Sequence, residues 1–336
     1  MNGPAGIRTV SVGRQKARPE PEGARSVRHA AGTALLLHAL LSILLQFCWY
    51  LVPDGFWGLD KSGLTGYVAA IVLMQGFCIL LPSLLSVWWH AVPGWVVTGR
   101  RSAGFGTILM ALVLGIPAAV MLLSLNNVVV YLMAKTGWKL PVTILPVDYA
   151  ATGLASVLLL LLVSALLPAI LEELMFRGVL QGSMLHAGGR MSAILLTSAA
   201  FAVFHCDPLF LVAPFGAGLI LGYLRLHTDN LLPCIAAHFA LNASIRLIRP
   251  ILPQLSAATF ARYAQTGEPL LYASIAAFFL SAAVVIPLTL MTGGVGRLKP
   301  GHTAISNPYP ADWKYLLATL LLVVTIGVVY FAVPAA

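Results

Sequence analysis

Between residues 30 and 334 the chain is a succession of apolar stretches, most of them near the length of a membrane crossing, and this pattern leaves few folds open. A spanning helix needs about 20 consecutive apolar residues. Stretches of this kind occupy 30–52, 64–89, 104–132, 152–174 with a continuation through 175–187, 191–206, 209–227, 231–248, 270–292 and 315–334. In hydrocarbon the backbone polar groups must be satisfied within the protein, which a helix does inside one segment. The expected fold is all-α, a polytopic transmembrane helix bundle of about 8–10 membrane helices. Composition agrees: 59% of residues are hydrophobic and 9% charged, whereas a soluble domain carries about 25% charged residues.

The net charge of +9 raises the question of nucleic acid. The basic residues, however, lie mostly in the N-terminal tail and in loops, with no aromatic–basic patch, and the positive-inside rule accounts for them. No nucleic-acid partner is expected; membrane lipid is. Residues 1–29, with Arg8, Arg14, Lys16, Arg18, Arg25 and Arg28 among Gly and Pro, read as a disordered cytosolic tail. The run 30–52 is longer than a signal-peptide core of about 7–15 residues and reads as a retained anchor. Arg100, Arg101, Arg190, Arg297, Lys299 and Lys314 then fall on the cytosolic side, while Lys135, Lys139, Arg246 and Arg249 fit that topology poorly. The expected location is a multi-pass integral protein of the bacterial inner membrane with its N-terminus in the cytosol. Cys48, Cys78, Cys206 and Cys234 have no CxxC spacing and read as small hydrophobes.

Against this background one segment stands apart. The sequence LLPAILEELMFRGVLQG places Glu172 and Glu173 inside the apolar run, with Arg177 one turn later. A carboxylate at bilayer depth costs about 2.5–3.5 kcal/mol on insertion scales, and an ionisable residue there is a functional-site hypothesis by default. Helical residues four apart share a face. Three pairs use that spacing: Glu173 with Arg177, Phe201 with His205, and His238 with Asn242.

Counting along the helices brings these groups together. From the turn at 187–190, Glu173 lies about 14 residues back and His205 about 15 forward, so an antiparallel hairpin sets both ~21–23 Å from that turn. From the next turn, 227–230, Asn242 lies ~18 Å deep and His238 ~12 Å. The segment 152–187, ~54 Å as one helix, must tilt, kink at Pro168 or project from the membrane.

A carboxylate in an apolar pocket can take a proton from water as a general base. Glu172 and Glu173 sit about 100° apart on a helix, so they cannot do the same job. His205 can orient the attacking water, and His238 and Asn242 can donate to the oxyanion of a tetrahedral intermediate. Such parts suit a peptide hydrolase with a water nucleophile.

The three motifs, EELMFR as EExxxR, FAVFH as FxxxH and HFALN as HxxxN, occur in the order and spacing that resemble the CAAX-protease and bacteriocin-processing (CPBP/Abi) family of glutamic intramembrane proteases. Type II CAAX prenyl endopeptidases belong to that family. The resemblance covers roughly residues 150–248. It implies a helical membrane bundle with an intramembrane catalytic cavity, and an endopeptidase acting on a membrane-associated or lipidated substrate without a cofactor. It also implies Glu172 as the water-activating base, Glu173 as its assistant, His205 on the water, His238 and Asn242 at the oxyanion, and Arg177 as structural support; Phe201 reads as packing. The expected division is a tail (1–29), N-terminal helices (30–150), a catalytic core (151–248) and C-terminal helices (249–336).

Other readings stay open at this level. Glu173–Arg177 fits a structural ion pair. Glu172, His205 and His238 are legitimate zinc ligands, although HExxH is missing. A non-enzymatic immunity or scaffold protein is a third possibility. His38, His186 and His227 read as packing histidines, Gln75 and Asn126–Asn127 as polar links between helices, and Asp207–Pro208 as a helix end.

Overall fold

The computed structural model describes residues 22–53, 55, 60–61, 63–135, 153–187, 189–207, 210–251, 268–294 and 313–332. Lys139, Pro208, Arg297 and Lys299 lie outside them, as do residues 1–21 of the tail. The described residues form helices joined by turns: α1 (Glu22–Leu51), α2 (Leu64–Trp89), α3 (Gly94–Thr98), α4 (Phe105–Lys135), α5 (Leu154–His186), α6 (Arg190–Phe204), α7 (Val212–Thr228), α8 (Leu232–Ile251), α9 (Glu268–Gly294) and α10 (Trp313–Ala332). Among the described residues there is no strand. Helix α1 starts at Glu22, ahead of the expected boundary at 30, because its buried stripe of Val27, Ala30, Ala31 and Ala34 begins before the apolar run does.

Among the described residues five helices are long and apolar enough to cross a membrane: His29–Leu51 of α1, α2, Phe105–Met133 of α4, α5, and Pro269–Gly294 of α9. Arg190–Phe204, Leu232–Ile248 and Lys314–Thr325 are shorter apolar helices. Large side chains such as Phe47, Ile116, Leu158, Phe279 and Leu280 point outward and are exposed, as lipid-facing surfaces require. This is an integral, multi-pass membrane protein.

Two long helices carry π-helical segments, and prolines help explain both. In α2 the segment Met74–Leu80 precedes Pro82, and in α5 Leu162–Leu166 precedes Pro168. Proline has no N–H for the carbonyl four residues earlier and crowds it, so the ladder loosens there. At Cys78, four residues before Pro82, the carbonyl is met by His38 Nδ1 at 2.7 Å. The carbonyl accepts, so Nδ1 carries the proton, and His38 serves the backbone of a neighbouring helix. A second π-helical segment in α5, Leu174–Leu180, follows Glu173 directly. The over-long 152–187 segment is thus a single helix interrupted twice, about 50 Å long at 1.5 Å per residue.

Helices α6 and α7, of 15 and 17 residues, form an antiparallel pair with Gly218 against Ser198 and Gly222 against Ile194. At about 23 and 26 Å each is shorter than the ~30 Å hydrocarbon core. Their connection begins at His205, where α6 ends; Cys206 follows in a left-handed conformation, φ 49°. Helix α4 lies along α8 so closely at Gly115 that a Cβ there would overlap the Ala237 carbonyl.

Candidate active site

Helix α5 presents both glutamates to the interior of the bundle. Glu172 is 5% exposed and Glu173 0%. Their successive positions send them to different partners. Glu173 Oε1 accepts from Arg177 Nη1 at 2.7 Å and lies 2.8 Å from His238 Nδ1. Glu172 Oε1 accepts from Gln75 Nε2 of α2 at 2.7 Å, and its Oε2 stands 3.8 Å from His238 Nε2. His238, 3% exposed, therefore faces one carboxylate with each ring nitrogen. All four side chains of the Glu172, Glu173, Arg177 and His238 group are buried.

Arg177, 1% exposed, holds Glu173 from within the π-helical segment and lays its guanidinium over the Phe201 ring, Cζ 4.4 Å from the centroid. Phe201 is more than filler. It makes edge contacts with Phe176, His205 and His238, with centroids 5.1, 5.0 and 5.7 Å away, and so separates the two histidines. His205 Nδ1 donates to the Phe201 carbonyl at 2.8 Å, which fixes the tautomer of the neutral ring and leaves the lone pair on Nε2.

His205, His238, Asn242 and Phe201 line one cavity of about 50 Å³, walled otherwise by apolar residues including Leu122, Phe210, Pro214 and Leu241. Glu172 and Glu173 lie behind His238 rather than on this wall. The volume suits a few waters, well below the roughly 300–1,000 Å³ of a ligand pocket. Among the described residues no three His, Cys, Asp or Glu side chains are grouped as metal ligands.

The residues singled out in the sequence thus fall into two touching sets. One is the buried charge cluster of Glu172, Glu173, Arg177 and His238; the other is the cavity wall of His205, His238, Asn242 and Phe201, with His238 common to both. Counting placed His238 well above Glu173, yet they are bonded, so α5 and α8 do not run straight and parallel as the count assumed.

Two contributors escaped the sequence reading. Gln75 does link helices as expected, but its partner is Glu172, 97 positions away. Arg225, 3% exposed on α7, donates from Nη2 to the Val96 carbonyl at 3.0 Å and from Nε to the Arg177 carbonyl at 3.3 Å, and its Nη1 pairs with Asp229 at 3.0 Å. It ties α3 and α7 to the π-helical stretch that carries Arg177. The available signal was simple: each is a strongly polar side chain alone within an apolar run.

Residues 154–244 match the family model described as Type II CAAX prenyl endopeptidase Rce1-like. No curated protein matches the chain significantly. No solved structure does either.

Proposed function

Because its segment 154–244 belongs to the family of CAAX-type intramembrane proteases, we propose that this chain is a glutamic endopeptidase in which Glu172 activates the water that attacks the scissile carbonyl. One observation carries this: His238 bridges the carboxylates, 2.8 Å from Glu173 and 3.8 Å from Glu172, and also lines the cavity with His205 and Asn242. Through His238, the cluster that supplies the proton acceptor and its charge support adjoins the cavity that carries the hydrogen-bond donors.

The roles follow from the partners. Glu173 Oε1 has two close neighbours in Arg177 and His238 and is poorly placed to take a further proton. Among the described residues Oε2 of both glutamates lacks a partner at bonding distance, but Glu173 is 0% exposed and Glu172 5%, so Glu172 is the carboxylate that water reaches and the base. His205, with its lone pair on Nε2, accepts a hydrogen bond from the water and orients it. As water attacks, its proton passes to Glu172 and the carbonyl oxygen becomes an oxyanion. Asn242 and His238 donate to that oxygen, with Glu173 Oε1 held 2.8 Å from His238 Nδ1 on the other side of the ring. Collapse breaks the C–N bond, and Glu172 returns the proton to the leaving amine. Oxyanion donors of this kind are worth about 2.7–4 kcal/mol each.

The substrate class follows from the family and the setting: a membrane-associated or lipidated protein, with a prenylated CAAX tail as the first candidate. No cofactor is needed. The test compares C-terminal protein fragments in cells carrying the wild type and Glu172→Gln, alongside cleavage of a quenched fluorescent peptide ending in a farnesylated CAAX sequence. Fragments present only with the wild type are expected; identical fragment sets would sink the protease assignment.

A further inference from the structure

We infer that Gln75 is a positioning residue for this site: its side-chain amide holds Oε1 of Glu172 and so fixes which carboxylate oxygen faces the water. The inference rests on the assignment of Glu172 as base. Gln75 belongs to α2, outside the matched segment 154–244, so it adds a part the catalytic core does not itself supply.

Gln75 is 4% exposed and sits in the π-helical segment Met74–Leu80, in a span otherwise made almost wholly of apolar and small residues. Its Nε2 donates to Glu172 Oε1 at 2.7 Å. A buried amide at bilayer depth is costly unless its polar atoms are met, and Oε1 of Gln75 has no protein partner among the described residues. Half of that amide therefore remains uncompensated while the other half is committed to Glu172.

The direction of the bond also matters. The amide N–H meets the carboxylate as a donor and stabilises its ionised form, the form a general base must hold at the start of each turnover. With Oε1 occupied, the second oxygen, Oε2, is turned toward His238 at 3.8 Å, a gap too long for a hydrogen bond. Without Gln75 the carboxylate is free to rotate and to pull His238 away from Glu173. The consequence is a loss in the chemical step rather than in substrate binding, because Gln75 does not line the cavity.

The experiment is a double-mutant cycle between Gln75→Met, close in length and lacking the donor, and Glu172→Gln, read by turnover of the farnesylated CAAX peptide in detergent. Removing one donor to a charged group predicts a fall in kcat of about tenfold to a hundredfold, with KM within threefold. In the Glu172→Gln background the same substitution should add nothing. An equal fall in both backgrounds, or a change confined to KM, overturns the positioning role. Gln75→Asn, which keeps an amide but withdraws it by one methylene, should show the same kcat loss and serves if Gln75→Met does not fold. Infrared difference spectra decide independently of any substrate: the Glu172 band, identified by its loss in Glu172→Gln, should shift in Gln75→Met or Gln75→Asn. An unshifted band overturns the inference. If the wild type leaves the peptide intact, the prenyl-substrate assignment fails and the infrared comparison alone decides Gln75. If Glu172→Gln cleaves as well as the wild type, the base assignment fails and this role falls with it.

Discussion

Replacing Arg177 by Met isolates the electrostatics of the cluster. Met roughly fills the space of the Arg177 stem and contacts the Phe201 face, so the packing loss is small. What disappears is the guanidinium 2.7 Å from Glu173 Oε1, in a place where neither side chain is more than 1% exposed. Removing one partner of a buried pair costs about 3–5 kcal/mol, most of it the uncompensated charge left behind. The cation–π contact with Phe201, 4.4 Å from centroid to Cζ, adds about 0.5–2 kcal/mol, partly recovered by the Met sulfur against the ring. The expected loss is therefore about 3–5 kcal/mol. Because the penalty is Glu173's charge, Glu173→Gln in the Arg177→Met background should restore about half of it. The chain carries its own reporter. Cys78 and Cys234 are buried, Cys206 is half-buried and Cys48 is exposed, so with Cys48 and Cys206 replaced by Ser a thiol-reactive dye labels the two buried thiols only on unfolding. Thermal melts of the purified protein with these two replacements, and of Arg177→Met and Arg177→Met/Glu173→Gln in the same background, by this signal decide the matter. A single substitution costing under about 1 kcal/mol, or a double variant weaker than the single, would refute the claim that Arg177 is there to neutralise Glu173.

Other outcomes follow from the same geometry. His205→Phe keeps the edge contacts of the ring and loses the free Nε2, so proteolysis should fall about 10²–10⁴-fold with little change in the thiol-dye melt; retained activity would remove His205 from the mechanism. Gly182→Ala places a Cβ against the Val96 carbonyl, and should destabilise by about 1–3 kcal/mol as α3 is pushed from α5, readable in the same melt. Arg225→Met should lower stability by about 2–4 kcal/mol, because the buried carbonyls of Val96 and Arg177 lose a charged donor. Incubation of the purified protein with a strong zinc chelator should leave turnover unchanged; loss of activity restored by added zinc would favour the metal alternative.

Much of the bundle could be read from the chain because a membrane imposes one rule on every apolar run. The positions of α2, α4 and α9 follow hydropathy almost directly. The pairing of Glu173 with Arg177 follows from spacing, since four residues along a helix suffice to bring them together. Depth along its helix set His238 only roughly near the level of the carboxylates, and its bond to Glu173 had no trace in the sequence. Depth along an apolar run says nothing about tilt, and the two interruptions of α5 change its course. Gln75 was not legible as a site residue because its bond joins positions 97 apart. Contacts between distant helices leave no periodic trace in a sequence. Arg225 escaped for the same reason: two of its three acceptors are backbone carbonyls, which any residue could supply.

Two adjacent carboxylates at bilayer depth need two compensating groups, and the structure distributes them unevenly. Arg177 bonds directly to Glu173, and His238 comes within hydrogen-bond distance of the same oxygen. Glu172 receives a neutral amide from Gln75 and only a distant approach, 3.8 Å, from His238. Glu173 Oε1 already faces a guanidinium and an imidazole, whereas Glu172 Oε1 faces one amide, so the two carboxylates are held by different groups. The inequality does not come from the local sequence, where the two residues are chemically identical neighbours. It comes from a helix advancing about 100° per residue, so that one glutamate turns toward α8 and its own next turn while the other turns toward α2. An exchange of roles would need Gln75 and Arg177 to exchange places, and they stand on different helices. For that reason Glu172→Asp and Glu173→Asp should not be equivalent. Shortening Glu172 withdraws the base from water and should remove activity while sparing the fold. Shortening Glu173 weakens its bonds to Arg177 and His238 together and should lower the melting temperature as well as turnover. Equal effects of both substitutions on stability and turnover would show that the two carboxylates share one task.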